Sequence, residues 1–113
     1  MVQATIRMVI APHRRGEVLG ILFSLAERKR VQAGCLSARI YHDEEQEGAL
    51  LVEDVWRCQE DLNHHLRSDD YLKVLLVSEI ALEPPKIIFN TISHSAGIEI
   101  IERARGVKQN DHG

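Results

Sequence analysis

The chain has 113 residues, 44% hydrophobic and 27% charged, a balance that suits one soluble globular domain and excludes a disordered or fibrous chain. Its formal net charge of −3 is interspersed over 17 acidic and 14 basic residues, so no basic stripe points to nucleic acid and no polybasic run points to a membrane. MVQATIRMVIAP lacks the charged region and apolar core of a signal peptide, no apolar run approaches about 18 residues, and Cys35 and Cys58 form no CxxC pair; the expectation is a cytoplasmic protein with reduced thiols.

Residues 4 to 11, ATIRMVIA, are rich in β-branched and apolar side chains and stop at Pro12, which predicts a strand. From Gly16 to Gln32, Val18, Leu19, Leu22, Leu25 and Ala26 recur at helical spacing, with Glu17 in the first turn, Arg28, Lys29 and Arg30 in the last, and Gly34 beyond. Residues 35 to 42, CLSARIYH, alternate Leu36, Ala38 and Ile40 against Ser37, Arg39 and Tyr41, as in a strand with two unlike faces. After the solvated turn DEEQEG, residues 49 to 56, ALLVEDVW, predict the second arm of an antiparallel hairpin.

QEDLNHHL places Leu62 and Leu66 one turn apart on a helix, and Ser68 caps a further helix, DDYLKVLLVSEI, whose Asp69 and Asp70 occupy its positive first turn. Pro84 and Pro85 close that stretch. Residues 86 to 92, KIIFNTI, and residues 98 to 104, IEIIERA, predict two last strands. GVKQNDHG reads as a polar tail, so the expected domain covers residues 3 to 105 and the tail residues 106 to 113.

The order β α β β α β predicts an α+β, ferredoxin-like split βαβ sandwich: an antiparallel sheet with its helices on one face. Apolar residues alternate with other apolar residues on several strands, as Leu50 and Val52 do with Leu51 and Val55. The bare face therefore calls for a second copy, giving an isologous homodimer whose two sheets close a dimeric α/β barrel. Leaving such a face wet would forgo more than about 10 kcal/mol in a domain that is stable by about 5 to 15.

Trp56, Leu62, His65, Leu66, Ser68 and Tyr71, in the pattern W-x5-L-x2-H-L-x-S-x2-Y after Glu53 and Asp54, resemble the antibiotic biosynthesis monooxygenase family, and the likeness runs from Ala4 to about Ile101. The resemblance implies a dimeric barrel with a cleft between helices and sheet in each subunit. Members with known activity oxidise polycyclic phenols or quinols there with O₂ as co-substrate and no metal or flavin. This chain carries no GxGxxG or P-loop. A branch that degrades haem uses an Asn, a Trp and a His where this chain, aligned on Gly16 and Ser68, has Val9, His65 and Leu75, so haem is not expected.

His65 is the candidate base, because imidazole titrates near neutrality and the motif's His falls there; the alternative is a structural His held by Asp61 or Asp69. His64 lies about 100° around the helix and cannot share its cleft or its metal. Trp56 is a candidate stacking plate or a packing residue, and Tyr71 directs either its hydroxyl at the cleft or its ring into the core. Arg39 and Asn90, opposite the best apolar positions of their strands, are candidate binders of a developing anion; ordinary surface roles are the alternative. Many family members have a second His where this chain has Asp70, which tells against a two-His mechanism. The competing function is a non-catalytic dimeric protein that binds or senses a small apolar ligand. A hollow of roughly 300 to 1,000 Å³ reached by His65 fits either, and a cleft filled by its own side chains fits a structural protein.

Overall fold

The computed structural model describes residues 1–106. Strand β1, Val2–Val9, leads through a 3-10 turn at Pro12–Arg14 into helix α1, Arg15–Arg30. Then follow β2, Cys35–His42; β3, Ala49–Trp56; α2, Gln59–Leu66; α3, Asp69–Ser78; β4, Lys86–Thr91; and α4, Ile98–Ala104. The four strands form one antiparallel sheet in the order β2-β3-β1-β4, which is the ferredoxin-like arrangement. No helix among the described residues is long and apolar enough to cross a membrane.

Two glycines set the chain reversals. Gly34 (φ 84°) and Gly48 (φ 83°) lie in the left-handed region, which L side chains rarely adopt. A Cβ at Gly48 would sit 2.5 Å from the Ile10 carbonyl oxygen, and the Gly48 carbonyl itself accepts the Ile10 N–H at 2.8 Å. The β2–β3 hairpin is thereby pinned to the end of β1.

On α1, Val18, Leu22, Leu25, Ala26 and Lys29 are the buried positions, a continuous stripe at helical spacing. That stripe meets Ile6, Met8, Ile10, Leu50 and Val52 from the sheet and Val74 and Val77 from α3. A second cluster, Val2, Ala4, Trp56 and Leu62, fills the end of the sheet beneath α2. Ser68 joins the two short helices: its Oγ donates to the His65 carbonyl at 2.6 Å and accepts the Tyr71 N–H at 3.2 Å, completing the cap expected of it.

The segment 98–104 is a helix, not the expected strand. The stretch IEIIERA alternates for three residues only, and among the described residues no strand lies beside it to complete a ladder; coiling lets the backbone bond to itself, with Ile98 and Ile101 on one side. The helix buries no residue, and Ile98, Ile100 and Ile101 are 69%, 52% and 58% exposed. The molecule is drawn out to 59 Å along its long axis, with a radius of gyration of 17.6 Å where about 13 Å is usual for this length. Smaller shifts affect element ends: β1 begins at Val2, where it pairs with Trp56, and α3 stops at Ser78, well short of the prolines. Of the expected tail only Gly106 lies among the described residues.

The helix-free face is less apolar than the alternation suggests. Register places Val9, Leu51, Val55, Tyr41 and Ile88 there, but also Gln3, Thr5, Arg7, Arg39, Glu53, Lys86 and Asn90. Ile87 and Phe89 share the helix side with Ile6 and Ala4, yet remain 40% and 45% exposed.

Candidate functional site

Trp56 ends β3 on the helix side of the sheet and is completely buried. His65, on α2, stacks on its indole with ring centroids 4.9 Å apart and planes 23° from parallel. Tyr71, from the first turn of α3, meets the imidazole edge-on at 5.5 Å. The structure thus brings the three motif residues into one cluster.

Beneath them lies an ion pair that the spacing did not single out. Lys29 Nζ is 3.1 Å from Asp54 Oδ1, with the two residues 4% and 6% exposed, and Asp54 Oδ2 accepts the Trp56 indole N–H. A lysine in the last turn of a helix reads as a solvated partner of the helix dipole. The signal that finds it is periodicity: Lys29 continues the stripe Val18, Leu22, Leu25.

His65 is 2% exposed, and neither ring nitrogen has a hydrogen-bond partner. Asp61 and Asp69 do not hold it: Asp61 accepts instead from Arg57 at 2.9 Å and from the Cys58 thiol at 3.2 Å. Burial first, then the Lys29 charge, hold the imidazole below its ordinary pKa; Asp54 and Asp70 pull the other way. The Tyr71 phenol is pushed up, by burial and then by Asp54. Both effects favour uncharged rings.

A pH dependence follows. With the folded pKa depressed, the unfolded chain binds the His65 proton more readily, so this contribution to stability is whole above the ordinary value of 6.5 and is lost as pH falls below it. Urea midpoints measured from pH 8 down to pH 5 should fall more steeply for the parent than for His65→Phe; parallel curves would contradict the assignment.

Arg39 and Asn90 are not part of the cluster. Both are exposed and lie on the helix-free face, with the sheet between them and His65. Asn90 Nδ2 donates to Gln3 Oε1 at 3.2 Å, and Gln3 Nε2 donates to Glu53 Oε2 at 2.9 Å, a polar row across β4, β1 and β3 whose last member has Arg39 of β2 as its register partner. Their place opposite the best apolar positions of their strands is that of residues on this helix-free face.

On the other side of α1 a groove of about 640 Å³ runs between α1 and α3. Leu25 and Val77, both buried, form its floor, Ile21 and Leu76 its walls, and Gly16 and Gly20 open it at one end. Arg28 and Lys73 line it at the other. Arg28 Nε donates to Asp70 Oδ2 at 2.9 Å, and Asp70 precedes Tyr71, so the groove and the buried cluster meet at one ion pair. His65, Trp56 and Tyr71 do not line the groove.

The profile of a family described as antibiotic biosynthesis monooxygenase matches residues 1–75, two thirds of the chain and the whole of the Trp56–Tyr71 motif. The chain belongs to the antibiotic biosynthesis monooxygenase family. Solved structures of similar fold include a putative antibiotic biosynthesis monooxygenase from Deinococcus radiodurans, 18% identical with a TM-score of 0.78 over 87% of this chain and 98% of that one. A protein from Mycobacterium tuberculosis is 23% identical, with a TM-score of 0.75 over 85% and 98% of the two chains. A conserved protein from Methanosarcina mazei is 22% identical, with a TM-score of 0.73 over 79% and 89%. An uncharacterised protein of Synechocystis is 27% identical over 59 residues, 52% of this chain and 40% of that relative's length. For this antibiotic biosynthesis monooxygenase family member, likeness at such identities establishes the fold, and the site rests on its own geometry.

Proposed function

We propose that this protein is a cofactor-independent monooxygenase acting on an aromatic, quinol-like or polyketide-type substrate in the cleft between helices and sheet, and that it works in the cytoplasm as an isologous homodimer. The observation that carries the reading is the Trp56–His65 stack, with a buried imidazole whose two nitrogens are both unclaimed. A flat hydroxyarene replacing one member of that stack keeps its π contacts, and His65 is the group able to take its phenolic proton. The resulting anion passes an electron to O₂, the two radicals recombine at carbon, and loss of water leaves one oxygen atom on the ring, as in the passage from an anthrone to an anthraquinone. The stack is closed, and α2 is the wall that must move: of its eight residues only Leu62 and His65 are buried.

A second reading is a non-catalytic protein that holds a small ligand in the α1–α3 groove. It is favoured by the groove being lined without the cluster. Oxygen uptake separates the two. With a panel of hydroquinones and anthrone-type phenols, the parent should consume O₂, and His65→Ala should be slower by about a hundredfold or more. Trp56→Phe, which keeps a stacking ring, should lose less. If no compound is consumed faster than in buffer, or if both variants match the parent, the oxygenase reading is lost and the binding reading stands. For the dimer, sedimentation should give twice 12.8 kDa; a lone particle at micromolar concentration would exclude it.

A further inference from the structure

The α1–α3 groove has a chemical polarity that the oxygenase reading does not use. We infer that it is a binding site for an amphiphilic anion: an aromatic or acyl body seated on Leu25, Ile21, Leu76 and Val77, with its carboxylate held by Arg28 and Lys73. The inference rests on the groove being the ligand cleft, as in the second reading above, and it holds whether or not chemistry follows.

The apolar part follows from volume and lining. At about 640 Å³ the groove is within the range of small-molecule sites, and its floor and walls are aliphatic. The two glycines point the same way. Gly16 lies in the first turn of α1 and Gly20 one turn further inside it, where glycine weakens a helix relative to alanine. Neither has a positive φ, and a Cβ at either would meet nothing within 4 Å. Neither backbone strain nor packing within the chain accounts for them; side chains there would project into the groove.

The charged part follows from its ends. Arg28, in the last turn of α1, pairs with Asp70, in the first turn of α3, and Lys73, one turn further along α3, lines the groove with Arg28. Arg28 uses only its Nε in that pair, one of five donors, and its side chain is 62% exposed. A guanidinium fixed at one edge and a neighbouring ammonium match a planar carboxylate. Glu17 lines the opposite end, about 16 Å away along the helix, and repels the same group. The groove therefore reads direction as well as charge: carboxylate toward Arg28, apolar tail toward Gly16.

Titration calorimetry on the full chain tests this with 2-naphthoate and decanoate as probes, and with 2-naphthylmethanol and decanol as uncharged counterparts. Binding of either acid, about tenfold or more tighter than its alcohol, supports the inference, and the acid preferred tells aromatic from acyl ligands. Arg28→Gln/Lys73→Gln should remove that preference. Gly20→Leu should abolish binding of the acid while leaving thermal stability equal or higher, since it adds a helix former in open space; a normal melting curve separates a blocked groove from an unfolded chain. Absence of binding by both acids, equal binding of acid and alcohol, or undiminished binding by Gly20→Leu each overturns the inference. Binding without O₂ uptake defeats only the oxygenase reading, and O₂ uptake without binding defeats only this one.

Discussion

Lys29→Met should destabilise the fold by about 3–5 kcal/mol, read as a lower urea midpoint at unchanged slope. Methionine fills nearly the same space, so the loss is electrostatic: Asp54, 6% exposed, is left buried without the ammonium 3.1 Å away. Its other oxygen stays bonded to the Trp56 indole, which cannot neutralise it. Adding Asp54→Asn should restore part of the loss, because an amide still accepts from Trp56 while the stranded charge is gone. A single variant within about 1 kcal/mol of the parent, or a double variant worse than the single, would refute a desolvated pair. The variant also removes the cation that helps hold His65 uncharged, so its imidazole should titrate at higher pH than in the parent.

Gly48→Ala should cost about 3 kcal/mol or more. Two effects add: a left-handed backbone costs a residue with a Cβ about 1–3 kcal/mol, and the new methyl lies 2.5 Å from the Ile10 carbonyl oxygen, closer than contact allows. Relief requires moving backbone, which breaks the Ile10 N–H bond to the Gly48 carbonyl, worth about 1 kcal/mol more. Gly20→Ala is the control: same chemistry, negative φ, open space, and an expected gain of several tenths of a kcal/mol. Equal midpoints for the two would mean that the turn relaxes freely.

Much of the fold was legible before the structure, for physical reasons that differ by element. Strands β2 and β3 fall where alternation placed them, because Gly34 and the acidic turn bound them chemically. The fate of 98–104 was not legible, since a three-residue alternation suits helix and strand alike and only a neighbour decides. Trp56, His65 and Tyr71 were found through a motif, and their convergence depends on the Ser68 cap that turns α2 into α3. Asp54 stayed hidden because a carboxylate on a strand has no signature of burial until α1 brings Lys29 to it. That Arg39 and Asn90 lie across the sheet from the cluster was not legible for a related reason: which face of a sheet meets the helices is a property of register between strands, not of alternation within one.

The stack at the end of β3 also carries its own optical gauge. Trp56 is the chain's one indole, so all of the chain's indole emission arises against His65. A neutral imidazole beside an excited indole quenches weakly and an imidazolium strongly, while opening to water shifts the emission to the red. Protonation and opening of the cluster therefore differ in colour as well as in brightness, and both are visible without a label, a substrate or a second tryptophan to subtract.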